Sequence, residues 1–388
     1  MKAIPAGRRA VVMGLAACLV AGCQVVPRSA EPAQRPPPPP PQQPVPQAET
    51  LPEDETRHRV ALLVPMSGDD GAVGQSLANA TTMALLDTGA ENLRITAYDT
   101  AGGASAAARR AVTDGNTLIL GPLKRENAGA VRAEARAGNV PVISFSNDAD
   151  IAGSGVFVLG HLPEQSIARS MEYLARAGVQ EISAIAPQGD YGDRAVEALR
   201  RSAAAEEVGV GTVQRYARSN TSVISAAQRL SAEGEPQAVL LADSPGLAAR
   251  AARVLREDGQ VQLVGTELWS GEGELARLPA LSGAIFSAVS DDNFRQFADS
   301  YRARFGNAPY RISTLGYDGV LLALNIAGNW RVGTPFPASR LLVDEGFLGL
   351  DGPFRFDSEG KIERAMEVRR IEDGRVVVVS PAPSSFDD

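Results

Sequence analysis

Val60-Ala-Leu-Leu-Val-Pro-Met-Ser-Gly68, followed by Gly74-Gln75, is the stretch that decides the fold. Val60 to Val64 is an unbroken apolar run, the pattern of a strand covered on both faces rather than one with a solvated side. A Pro/Ser/Gly turn spans Pro65 to Gly74, and a helical segment of about a dozen residues then reaches Leu86. The unit recurs downstream. Strand Leu93 to Tyr98 precedes a helix near Ala104 to Val112, strand Leu118 to Leu120 precedes a helix to Ala137, and Val140 to Ser144 closes the series. Strands and helices alternating at this spacing predict parallel βαβ units in a doubly wound sheet.

After Val156 to Val158 a second series begins. Helices Glu164 to Ala177, Tyr191 to Glu206, Ser222 to Glu233 and Gly246 to Asp258 alternate with strands Ile182 to Ala186, Val210 to Tyr216, Val239 to Ala242 and Val261 to Gly265. Two helices follow, near Asp292 to Phe305 and Arg311 to Ala327. The tail reads as an antiparallel element of Pro353 to Phe356, Ile362 to Ile371 and Arg375 to Val379, with Asp373-Gly374 as its hairpin signal. The expected fold class is α/β, with two Rossmann-like lobes of parallel sheet joined by a hinge. The first lobe is expected over 57–158, completed by about 286–345, and the second over 159–285, completed by about 346–382. Their cleft should lie at the carboxyl ends of the strands, where open α/β sheets bind ligands.

The 388 residues carry a formal charge of −8, with no basic stripe interleaved with aromatics, so no nucleic-acid partner is expected. The N-terminus reads as an export signal: Lys2, Arg8 and Arg9 are followed by the short apolar run Val11 to Leu19, too short to span a bilayer comfortably. It ends in Val20-Ala21-Gly22-Cys23, which resembles the lipobox of bacterial lipoproteins. That resemblance implies removal of residues 1–22 and a lipidated Cys23 that attaches the chain to a membrane. Cys18 and Cys23 are the only cysteines, so the mature chain would have neither disulfide nor free thiol. Residues 23–56 are dominated by Pro, Gln and Ala, including Pro36 to Pro41, and are expected to be a disordered, semi-rigid tether. At about 3.1 Å per residue, roughly thirty such residues reach on the order of 80–100 Å.

Several segments of the body resemble type I periplasmic binding proteins of the leucine/isoleucine/valine-binding kind. They are Val60 to Gly68, Leu118-Ile-Leu-Gly-Pro-Leu123, Val140-Pro-Val-Ile-Ser144, Gly189-Asp-Tyr-Gly192 and Gly352-Pro-Phe-Arg-Phe-Asp357 with Gly360. Leu159-Gly-His-Leu-Pro-Glu-Gln165 and Ala186-Pro-Gln-Gly-Asp-Tyr-Gly-Asp-Arg194 are similar to the C-terminal domain of penicillin-binding protein activator lipoproteins. This resemblance implies an outer-membrane lipoprotein that stimulates a bifunctional penicillin-binding protein. Gln24, where inner-membrane lipoproteins commonly carry Asp, agrees with that location. The family's additional helical-repeat domain is not found between the tether and Arg59. The alternative is a solute-binding lipoprotein that passes an amino acid or small anion to a transporter.

The resemblance also nominates cleft residues. Lys124 and Arg125 stand where amino-acid-binding relatives have small serines, and Ser144, Ser146 and Asn147 follow the fourth strand. The basic pair either holds an anionic ligand at a helix N-terminus or closes the lobes through a salt bridge. Ser67 should face the cleft, Tyr191 sits where relatives stack an aromatic on the ligand, and Glu267 falls where they pair a carboxylate with its ammonium. Trp269 and Trp330 read as packing. The two histidines, His58 and His161, lie in no metal-ligand spacing, and the sequence has no GxSxG elbow, P-loop or GxGxxG fingerprint. No catalytic residue, metal or cofactor is expected.

Overall fold

In the computed structural model, which describes residues 56–257 and 259–386, His58–Val64 forms β1, an interior strand of a parallel sheet. The export signal, Cys23 and the tether expected over 23–56 lie outside the described residues, apart from Thr56. β1 is followed by α1 (Gly71–Thr88), β2 (Leu93–Asp99), α2 (Ala104–Thr113), β3 (Leu118–Leu120), α3 (Arg125–Ala137), β4 (Val142–Ser144) and β5 (Val156–Val158). Sheet order is β2-β1-β3-β4-β5, with Val60 beside Ile95 on one side and Leu118 on the other. The unbroken apolar run follows from this position. Val60, Leu62 and Val64 join one core with Leu77, Leu120 and Phe145, while Ala61 and Leu63 join another with Ile119 and Val131. Successive strand residues alternate sides, so a strand covered on both must be apolar throughout.

The second lobe contains α4 (Pro163–Arg176), β6 (Glu181–Pro187), α5 (Asp190–Ala205), β7 (Gly209–Tyr216), α6 (Asn220–Ser231), β8 (Ala238–Leu241), α7 (Pro245–Leu255), β9 (Gln262–Val264) and β10 (Ile285–Ala288). The chain then returns to the first lobe with α8 (Asp292–Phe305) and α9 (Thr314–Ala327), which pack against α1. β11 (Phe347–Gly349), β12 (Gly352–Phe356) and β13 (Ile362–Arg364) form a small antiparallel sheet. β14 (Glu367–Glu372) and β15 (Arg375–Ser380) finish the second lobe's sheet, ordered β15-β14-β10-β9-β8-β6-β7. Among the described residues no helix is long and apolar enough to cross a membrane.

Three features depart from the sequence reading. β10 is not among the strands that the sequence pattern predicts, because four buried residues between a 3-10 turn and α8 leave too little periodicity to recognise. The single strand expected over Ile362 to Ile371 is two strands in different sheets, parted at Ala365-Met366. Residues 347–364 were expected in the second lobe. Phe354, Phe356 and Ile362 instead enter the first lobe's core, and the backbone of Lys361 bridges to Val158.

The lobes are therefore joined by three crossovers, at 159–162, 289–291 and 365–366, and a buried charge network ties them together. Asp351, fully buried, accepts from Arg311 Nη1 at 2.7 Å and Thr314 Oγ1 at 2.8 Å, and lies 2.7 Å from His161 Nε2. Arg311 also reaches Asp291 at 3.2 Å, and Asp291 pairs with Arg369 of β14. Arg364, buried on β13, donates to Leu159 O at 2.9 Å and lies 3.6 Å from Asp318 of α9. Burial by itself would raise the Asp351 pKa, but the Arg311 charge and the His161 hydrogen bond hold it below its ordinary value.

Candidate functional site

The cleft between the lobes is built from the strand ends and helix starts that face each other across the crossovers. On the first-lobe side, the loop after β4 is held by its own hydroxyls. Ser144 Oγ donates to Pro122 O at 2.9 Å and accepts from Ser146 N, and Ser146 Oγ accepts from Asp148 N. Both serines are buried with hydroxyls engaged inside the lobe, so neither is presented to a ligand. Gly160, in the first crossover, presses on this loop: a Cβ there would lie 2.0 Å from Ser146 O.

On the second-lobe side, Gly189-Asp-Tyr-Gly192 turns the chain from β6 into α5. A Cβ on Gly192 would stand 1.9 Å from Pro187 O, so only glycine lets the helix start this close to the strand. The turn brings Tyr191 to Thr266 Oγ1, at 2.9 Å, and to Glu267 Oε1, at 3.0 Å. Glu267 is 9% exposed, and its Oε2 has no hydrogen-bond partner. Burial pushes its pKa up to about 8, with the charge of Glu164 adding to the shift and the Tyr191 hydrogen bond opposing it. Burial, and then the Glu267 charge, raise Tyr191 well above the ordinary phenol range.

Two arginines span the gap. Arg125, at the start of α3, lies 2.9 Å from Asp148 in its own lobe and 2.8 Å from Asp190 in the other. Of the two expectations for the basic pair, the geometry is that of a lobe-closing salt bridge. Lys124 does not cross; it pairs with Asp70 beside α1 and lies 3.7 Å from Glu126. Arg194 of α5 donates through Nη1 to Asn147 O at 2.5 Å, with Glu164 at 3.5 Å and Asp148 at 3.9 Å.

Tyr191, Glu267, Asn147 and Arg125 thus lie along the facing walls, whereas Ser67 is turned away and donates to Asp99 at 2.8 Å. Arg194, Glu164, Asp148 and Asp190 were not singled out from the sequence. The available signal was Arg194 itself, a cation near the N-terminal end of a helix, where the dipole disfavours it unless carboxylates compensate. Trp269 is buried under Gly265 with its Nε1 on Asp243 O, and Trp330 stacks on His58 at 3.8 Å; both are packing. Among the described residues no group of three or more His, Cys, Asp or Glu is placed to hold a metal ion.

Comparison with known proteins places this architecture. An uncharacterized protein of Rickettsia prowazekii is 21% identical over 340 residues, covering 83% of this chain and 88% of that protein. The penicillin-binding protein activator LpoA of Glaesserella parasuis is 26% identical over 142 residues, which are 36% of this chain but only 24% of the activator. A putative branched-chain amino acid ABC transporter structure from Rhodospirillum rubrum superposes with a TM-score of 0.72 at 20% identity, covering 83% of this chain and all of that one. The family model described as periplasmic binding protein matches residues 58–375, nearly the whole described body; the chain belongs to that family.

Proposed function

We propose that the chain is a non-enzymatic envelope lipoprotein, anchored through Cys23 in the outer membrane and facing the periplasm, that activates a bifunctional penicillin-binding protein. The observation that carries this reading is the closed cleft. Arg125 and Arg194 each bond to both lobes, so acceptors that a carrier keeps free for its solute are already engaged. A solute can shift a two-lobed protein toward its closed form only by contacts it makes better in that form than in the open one. The partial similarity to the Glaesserella parasuis activator and the Pro-rich stretch after Cys23 support the same reading. The test is glycan polymerisation by a purified bifunctional penicillin-binding protein from the same organism, with and without this protein. Several-fold acceleration is expected; an unchanged rate overturns the reading.

One observation favours a second reading, a solute-binding lipoprotein serving a transporter for an amino acid or small anion. Glu267 keeps a buried carboxylate oxygen without a partner beside Tyr191, and a buried polar group in that state is costly. A thermal-shift scan against amino acids, small anions and muropeptides separates the two. A clear rise in midpoint with one compound supports transport, and a flat scan supports the activator.

A further inference from the structure

We infer that Arg194 is a resident occupant of the interlobe site: its guanidinium, supplied by the chain itself, takes the place a cationic solute would need and holds the lobes together without one. A ligand closes a two-lobed protein by bonding to both halves at once. Arg194 does so from α5 of the second lobe. It reaches the first lobe at Asn147 O at 2.5 Å, at Asn147 Oδ1 at 3.5 Å and at Asp148 at 3.9 Å, and its own lobe at Glu164 at 3.5 Å. Its side chain is 13% exposed. The rigid fork of a guanidinium can satisfy acceptors on two sides in a way that a lysine ammonium on a flexible stem does not.

The charges around it point the same way. Glu164, Asp148 and Glu267 come from the α4 start, the loop after β4 and the turn after β9; Arg194 lies among them, and Asp148 also has Arg125 at 2.9 Å. One oxygen each of Glu164 and Glu267 is buried without a hydrogen-bond partner. Without Arg194, Asp148 would keep only the half-exposed Arg125, and Glu164 and Glu267 would lie in the closed gap without that guanidinium, which is costly unless a cation enters or the lobes part. The vacated site would therefore select a small guanidinium or primary ammonium compound. Arg125–Asp190 is a second strap between the lobes, but its partners are 44% and 70% exposed, so solvent screens it and it should not hold the closed form by itself.

The inference uses the same closed cleft as the proposed function but not the partner enzyme, so a failed polymerisation assay would leave it standing. The test compares the full-length protein with its Arg194→Ala variant by small-angle scattering, and by thermal shift with methylguanidinium chloride against equal sodium chloride. The variant is expected to show a larger radius of gyration than the parent. Methylguanidinium should raise the variant's midpoint by about 3 °C or more while leaving the parent unchanged. An unchanged radius of gyration together with no selective response of the variant overturns the inference. Should the alanine variant not fold, Arg194→Gln, similar in length and neutral, is read by the same two measurements and judged by the same outcomes.

Discussion

Glu267 is a carboxyl group that the fold takes out of water with only part of its hydrogen-bonding capacity met. Its folded-state pKa of about 8 lies above the ordinary 4.5, so between those values the folded protein keeps a proton that the unfolded chain has released. Unfolding then releases a proton, and stability falls as pH rises across that window before levelling off above it. Glu267→Gln, which is neutral at every pH, should remove this contribution. Urea midpoints measured from pH 5 to 9 should show a shallower decline for the variant than for the parent, and parallel curves would mean that Glu267 is ionised in the fold. The sequence marked Glu267 and Tyr191 because they follow strand ends that resemblance places at the cleft. It did not mark Arg194 or Glu164, since their meeting depends on where α5 and α4 lie relative to the other lobe.

At the scale of elements, the two lobes solve the same problem twice. The first strand of each lobe runs into a proline, Pro65 just past β1 and Pro187 at the end of β6, and the helix that follows begins so close beneath it that glycine is needed: a Cβ on Gly74 would lie 1.6 Å from Pro65 O, and one on Gly192 would lie 1.9 Å from Pro187 O. The clashing atoms are backbone and cannot swing aside, so Gly192→Ala should destabilise by about 2–3 kcal/mol or more. Gly246, in the first turn of α7, has nothing within 4 Å of a Cβ, and Gly246→Ala should be neutral or stabilising by about 0.4–1 kcal/mol. Urea denaturation of the two variants checks the contrast, which fails if both behave alike. These elements were legible because a buried parallel strand has a strong local signature. The passage from β13 to β14 was not: residues Ile362 to Ile371 keep a strand-like pattern throughout, and only the neighbours on each side assign the halves to different sheets.

At the scale of the molecule, the hinge is a charged core. Asp351 is the acceptor shared by Arg311, Thr314 and His161, and removing it leaves the buried Arg311 guanidinium with only the partly exposed Asp291 as counter-charge. Asp351→Ala should therefore cost about 3–5 kcal/mol, read as a lowered urea midpoint; a loss below about 1 kcal/mol would mean that the network adds little to folding. The proposed attachment to the membrane is tested separately from this body. Cys23→Ser should leave the protein unlipidated and shift it out of the membrane fraction, and normal partitioning of the variant would refute the lipid anchor.

By itself the sequence determined the α/β class, the two repeated series of strands and helices, the turn glycines and the positions of Tyr191 and Glu267 at strand ends. These depend on local periodicity and on backbone demands that a few neighbouring residues carry. Only the tertiary structure decided that residues 347–364 complete the first lobe, that Asp351 joins His161 to Arg311 and Thr314, and that Arg194 and Arg125 close the cleft. Those outcomes join residues as far apart as His161 and Asp351, 190 positions along the chain. A contact between distant residues is fixed by how whole lobes pack, and no window of sequence contains both of its partners.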